Sequence, residues 1–193
     1  MGKLFDLFKY ANLLNISDGN IKVWNIPMNI IPTFVLRDLQ KDLIKSIGYR
    51  KAFEKIYSST KSGSAEYNKN FIASQGFSDK RKIIDWQSKI VSLSGWGTIE
   101  IAKVDFEKDE YVAHFKENPF AKQYGKTNYP IDFFICGFIA GGFTASIGKE
   151  LECYESTCVT QGKPYCEFIV GPKKVIDKKR LALWKSLKLW TCD

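Results

Sequence analysis

The chain has 193 residues, 45% of them hydrophobic and 15% aromatic, which is enough to bury one substantial core and excludes a disordered chain. Twenty-nine Lys and Arg against 21 Asp and Glu leave a net charge of +8. Its lysines are scattered, as on a solvated surface, so direct nucleic-acid binding is not expected. Asp6 and Lys9 interrupt the N-terminal MGKLFDLFKYANLL, and the longest apolar run, Phe133 to Phe143, falls well short of the ~20 residues that cross a bilayer. Neither a signal peptide nor a membrane span is therefore expected. Five cysteines, an odd number in a chain too large to need staples, point to a reducing, cytoplasmic setting with thiols free for metal.

Residues 3–14 carry apolar side chains at near-helical spacing, and residues 1–20 are expected to form an N-terminal helical segment that docks on the core or on a second subunit. Ser17-Asp18-Gly19-Asn20 reads as a turn before a short strand, Ile21 to Trp24. Pro32 opens and Gly48 closes a helix whose Phe34, Leu36, Leu39, Leu43, Ile44 and Ile47 form one apolar stripe. Tyr49 to Ser62 is the next helix, with Ser62-Gly63-Ser64 either ending it or letting it resume into Ala65–Phe71. Asp79 to Leu93 follows as a helix, after which Gly95-Trp96-Gly97 switches the period to alternation.

Thr98–Phe106 and Glu110–Lys116 read as an antiparallel hairpin around Glu107-Lys108-Asp109, stopped by Asn118-Pro119. Residues 121–130 form a polar connection into an apolar helix, 131–147, and two closing strands, 149–157 and 165–170. After Pro172, residues 172–193 form a basic amphipathic segment with Leu183, Leu187 and Trp190 on one side. For that helix, docking on the core competes with membrane-surface contact through residues 174–190.

The chemistry concentrates between Pro130 and Phe168. Glu155-x2-Cys158-x7-Cys166 places one carboxylate and two thiolates where a chain reversal at Gly162 and Pro164 can bring them to one metal. Zinc suits mixed sulfur and oxygen donors in a tetrahedron. Asp132 and Cys136 are the upstream candidates for the fourth position, with Cys153 close by in sequence. Cys158 has the opposite strand parity to Glu155, so a bulge near Ser156–Thr157 must re-aim it. Two cysteines packed as small apolar residues, or a disulfide, are the competing readings.

Several segments in order then carry a family likeness: IPMNIIPTFVLRDLQKDLIKSIGYRKAFEKIY, SGWGTIEI, NPFAKQYG, Gly137-Phe138-x2-Gly141, and Glu155-x2-Cys158-x3-Gly162-x3-Cys166-x-Phe168. Together they resemble the 4-vinyl reductase or hydrocarbon-binding domain in its stand-alone archaeal form, over about residues 20–171. The resemblance implies an α/β fold of the α+β type, with helices packed on an antiparallel sheet, as in nitric-oxide sensors and vesicle-transport-particle subunits. It also implies a ligand-binding domain over residues 21–171, a homodimer, and a structural zinc held by three cysteines and a glutamate beside a buried apolar pocket. By position the ligands fall on Glu155, Cys158 and Cys166, with Asp132 where the family has its first cysteine and Cys136 one helical turn further on.

The leading expectation is a non-catalytic sensor of small apolar or aromatic molecules. Trp96, His114, Phe134 and Phe138 are candidate ligand contacts, although large aromatic residues are most often ordinary core. His114 is the only histidine. On a strand with Val112 on its face, it is either a donor to a ligand hydroxyl or simply satisfied by its surroundings. An enzyme is the second class, held back by one histidine and by the lack of a dinucleotide fingerprint. An adaptor resembling vesicle-transport-particle subunits is the third.

Overall fold

The structure, a computed structural model, describes residues 14–23 and 26–189. Most of the helix expected over 3–14 lies outside them, and the described chain starts in a strand. β1 (Leu14–Ser17), β2 (Asn20–Val23) and β3 (Ile26–Met28) form a small antiparallel meander. Asp18 and Gly19 turn β1 into β2 at positive φ. Ser17 pairs with Asn20, so this hairpin straddles the boundary expected at residue 20.

Helix α1 (Thr33–Ile47) begins after Pro32 and ends at Gly48, whose φ of 81° a side chain would resist. Its expected stripe divides. Leu36, Leu43, Ile44 and Ile47 pack against the core, whereas Phe34 and Leu39 are half exposed. Helix α2 (Tyr49–Gln75) runs through Ser62-Gly63-Ser64 without a break. The Ser64 hydroxyl donates to the Phe138 carbonyl at 2.7 Å, so tertiary contact supports the weak triplet. Helix α3 (Lys80–Leu93) is capped by Asp79, whose carboxylate accepts from the Arg81 and Lys82 N–H groups.

The main sheet holds β4 (Thr98–Asp105), β5 (Glu110–Lys116), β6 (Leu151–Thr157) and β7 (Cys166–Pro172) in the order β4-β5-β7-β6, every pair antiparallel. Tyr111, Ala113 and Phe115 of β5 and Phe168 and Val170 of β7 alternate onto one fully buried face. The stretch read as a polar connection contains a further helix, α4 (Pro119–Tyr124), with Phe120, Ala121 and Tyr124 buried. Against the buried sheet face lies α5 (Phe133–Ile147), apolar nearly all round.

Helices α5 and α2 touch at close range because α5 lacks side chains at Gly137 and Gly141. A Cβ at Gly137 would meet the Thr60 hydroxyl and, at 2.5 Å, the Tyr57 carbonyl oxygen. A Cβ at Gly141 would collide with the Lys61 carbonyl and sit 2.8 Å from the Ala65 nitrogen. Backbone cannot step aside as a flexible side chain can.

The chain closes with α6 (Lys173–Ser186), which docks on β6 and β7 and buries Ile176 and Trp184. The C-terminal helix is thus joined to the core; Trp190 lies outside the described residues.

Gly137→Ala and Gly141→Ala should each lower the unfolding free energy by about 2–3 kcal/mol through overpacking. Gly142→Ala is the control, since its Cβ would lie 3.5 Å from the Asn68 amide. It should be neutral or stabilising by up to about 1 kcal/mol. Urea denaturation of the three variants checks this ordering.

Candidate functional site

Three chain reversals bring four acidic side chains to one place. Asp132 stands immediately before α5, Glu155 lies near the end of β6, and Cys158 and Cys166 flank the β6–β7 connection. The β6–β7 register slips between Glu155 and Thr157, the bulge needed to turn Cys158 toward Glu155. A 3-10 turn, Val159–Gln161, then ends at Gly162, whose φ is 78°. The turn is held by the Cys158 N–H donating to the Gln161 side-chain oxygen at 3.0 Å.

One donor atom from each of Asp132, Glu155, Cys158 and Cys166 lies within 4.8 Å of the other three. The two sulfurs are 3.5 Å apart. All four residues are buried, with Asp132, Cys158 and Cys166 at 0% exposure and Glu155 at 6%.

Their hydrogen bonds leave a specific deficit. Asp132 Oδ2 accepts from Asn118 Nδ2 at 2.8 Å, and Glu155 Oε2 accepts from the Asp132 N–H at 2.9 Å. Asp132 Oδ1 and Glu155 Oε1 have no partner among the described residues. Burial pushes the Asp132 carboxyl above its usual range. It pushes Glu155 well above, helped by the neighbouring Asp132 and Cys158 charges.

The thiols share one proton. The hydrogen bond between them lowers Cys158 and raises Cys166. Thr160 Oγ1 donates to the Cys158 sulfur at 3.1 Å and the Val159 N–H to the Cys166 sulfur at 3.5 Å, so anionic sulfur is already solvated by protein donors. Two thiols, two carboxyls and two orphaned oxygens in a dry pocket fit a metal ion.

Cys136, the alternative to Asp132, is not part of this group. It is buried one turn into α5 beside Cys153, and burial and that neighbour push its thiol up. Asn118 is the contributor that sequence reasoning missed. Its Oδ1 caps α4 by accepting from the Phe120 and Ala121 N–H groups at 3.0 and 3.1 Å, which aims its amide at Asp132. The signal was present, since Asn followed by Pro suits a helix start as well as a strand end.

The four candidate ligand contacts are not gathered around one hollow. His114 faces the opposite side of the sheet from Cys166, stacked on Tyr165 at 4.1 Å and 3.2 Å from Glu167. Trp96 packs half-buried at the start of β4, and Phe134 sits edge-on to Phe120 at 5.9 Å. Phe138 borders a void of about 30 Å³ between α5 and α3.

The apolar pocket expected beside the metal is filled. What remains is a cavity of about 10 Å³, bounded by Asp132, Glu155, Cys136, Phe133, Arg180 and Trp184. That is about the room of one water molecule. The two closing side chains, Arg180 and Trp184, come from α6. On their far side an open cleft of about 960 Å³ runs between α2, β6 and α6. In its wall the Tyr57 hydroxyl donates to buried Glu152 at 2.5 Å and accepts the Cys153 N–H at 2.9 Å, while Lys61 pairs with Glu152 at 2.9 Å.

The fold is shared with solved structures. The phenol-responsive sensory domain of the transcription activator PoxR, solved with phenol, matches with a TM-score of 0.77 at 16% identity, covering 95% of this chain and 98% of that one. A trafficking protein particle complex subunit 3 from Naegleria fowleri, covalently bound to palmitic acid, matches with a TM-score of 0.54 at 16% identity, over 72% and 93% of the two chains. A vinyl-4-reductase family protein from Methanocaldococcus jannaschii gives 0.48 at 24% identity, over 74% and 82%. No curated protein matches the chain. Residues 111–172, which carry all four donors of the buried group, match the model of the 4-vinyl reductase domain, and the chain is accordingly a 4-vinyl-reductase-domain protein.

Proposed function

We infer that this chain is a non-catalytic sensory or regulatory domain for small apolar or aromatic molecules, stabilised by a structural zinc. The observation that carries the reading is the closed, fully buried group of Asp132, Glu155, Cys158 and Cys166 with its two orphaned carboxylate oxygens. A catalytic zinc keeps a position open to water or substrate, whereas four protein donors sealed from solvent suit a structural one. When bound, the ion would supply the positive charge these groups lack. Tetrahedral geometry and two sulfurs favour zinc over calcium or magnesium.

Support for sensing comes from the 4-vinyl reductase domain and from a fold shared along nearly the whole length of a domain described as phenol-responsive. The walls next to the donor group agree with an aromatic ligand. Tyr49, Phe53 and Phe133 meet edge to face there, with centroids 4.9 and 5.3 Å apart. A homodimer is part of the proposal, since Ile30, Ile31, Phe34, Val35 and Leu39 leave an apolar patch along α1 exposed.

Native mass spectrometry of protein purified without added metal should show a dimer with one zinc per chain. Cys158→Ser or Cys166→Ser should abolish the zinc and Asp132→Ala should weaken it, while Cys136→Ala should retain it. A disulfide between Cys158 and Cys166 in metal-free protein would end the zinc reading.

Chelation should expose the raised carboxyl pKa values as a pH dependence. In metal-free protein the unfolded state releases protons near pH 4, before Asp132 and Glu155 do so in the fold. Stability should therefore be greatest below that pH and fall as pH rises toward neutrality, whereas zinc-loaded protein should gain stability over the same range. Thermal melts against pH, with and without chelator, check the sign.

A phenol-type ligand should stabilise the fold by about 2.7 kcal/mol when its concentration is a hundredfold above Kd. Thermal shift with phenol and simple hydrocarbons is the direct test of sensing.

A further inference from the structure

The cavity beside the donor group is closed by a side chain with the shape of the proposed ligand. Four aromatic rings form a complete box. Tyr49 and Phe53 come from α2, Phe133 from α5, and Trp184 from α6. The contacts run Tyr49–Phe133 at 4.9 Å, Phe133–Phe53 at 5.3 Å, Phe53–Trp184 at 5.1 Å and Trp184–Tyr49 at 6.1 Å, all edge to face.

Three walls belong to the central helix pair. The fourth is carried by a terminal helix held mainly by Ile176, Arg180 and Trp184, with Lys174, Lys178, Lys179 and Lys185 turned to solvent. Arg180 completes the closure. Its guanidinium lies 5.2 Å from the Phe53 ring, 5.4 Å from Tyr57 and 5.5 Å from Trp184, and it donates to Asp177 and to the Cys153 carbonyl.

Arg180 and Trp184, with Phe53, border both the outer cleft of about 960 Å³ and the inner cavity of about 10 Å³. They are the partition between solvent and the donor group. Removing the indole and guanidinium would join the two spaces into one ring-sized slot. Its floor holds Asp132 and Glu155, which disfavour an anionic guest.

Resting on the sensory reading above, we propose that Trp184 and Arg180 are a built-in plug, and that a neutral aromatic ligand takes the slot of the Trp184 indole and releases the C-terminal half of α6. The chain's own side chain is the resting occupant. Ligand binding is converted into motion of the helix through which the chain continues toward its C-terminus.

The difference between free and bound states would lie in residues 177–186, with Ile176, buried against Gly171, holding the first turn in place. Ligand affinity would be lowered by the population of the plugged state, as for any competent state that is only partly occupied.

Hydrogen exchange of the full chain with saturating indole or phenol, with benzoate as the anionic control, tests this. Expected are a raised thermal midpoint, faster exchange in residues 177–186, slower exchange in Tyr49–Tyr57 and Phe133–Gly137, and little response to benzoate. Trp184→Ala should bind indole about tenfold more tightly than the unmodified chain, because no plug is displaced.

Binding with unchanged or slowed exchange in 177–186 would make Trp184 a fixed wall; it would overturn the plug and leave the sensory reading standing. Binding by Trp184→Ala alone would also overturn displacement, since the native helix never yields. Stabilisation of neither protein by any neutral aromatic would remove the slot and the sensory reading together. If Trp184→Ala does not fold, the exchange pattern of the unmodified chain decides.

Discussion

Two carboxyls and two thiols are held out of water within 4.8 Å of one another, and most of the domain is arranged around that fact. Burying one unpaired carboxylate costs several kcal/mol, and burying two side by side costs more. The fold does not avoid this by separating them. It delivers Asp132 from the start of α5, Glu155 from the end of β6 and the cysteines from both sides of a tight reversal, and Asn118 adds an amide from the cap of α4. Elements that have little other contact with one another are joined here. Without a cation the carboxyls resolve the conflict by keeping their protons; with one, the same group becomes a cross-link between helix and sheet.

A second constraint sets the position of the aromatic walls. Helix α5 can approach α2 only because Gly137 and Gly141 present bare backbone to Tyr57, Lys61 and Ala65. That close approach brings Phe133 within 4.9 Å of Tyr49 and 5.3 Å of Phe53, next to Asp132 in the chain. The glycines therefore position both the donor group and the box beside it. A looser contact would move the start of α5 away from β6, and Asp132 with it.

Much of this was legible from residue types. Glu155-x2-Cys158-x7-Cys166 with Gly162 in the reversal implied convergence, and the parity argument demanded the slip found between Glu155 and Thr157. The elements missed or misjudged have physical reasons. Helix α4 spans only six residues, too short for periodicity, and its Asn-Pro start doubles as a strand stop. Gly63 costs a helix about 1 kcal/mol, which the packing of α2 on α5 outweighs. Aromatic identity in Trp96, His114, Phe134 and Phe138 said nothing about which way each faces. Sheet parity separates His114 from Cys166, and helical phase separates Phe134 from Phe133.

The C-terminal helix shows how a basic amphipathic segment can hide its working face. Leu183 and Leu187 suggested one apolar side, but the side chains that docking buries most deeply are Ile176 and Trp184, with Arg180 between them. A charged residue interrupts that stripe, so hydrophobicity alone points to the wrong phase. Arginine is tolerated there because its planar, weakly hydrated guanidinium can lie over Phe53, Tyr57 and Trp184 while Asp177 and the Cys153 carbonyl take its N–H groups. A lysine could not cover three rings in that way. The lysines of α6 accordingly face solvent, where their charge keeps the outer face wet, and the single arginine faces inward. Charge on this helix is thus divided by chemistry. The strongly hydrated ammoniums stay outside, and the one cation that can be desolvated over aromatic faces closes the space beside the donor group.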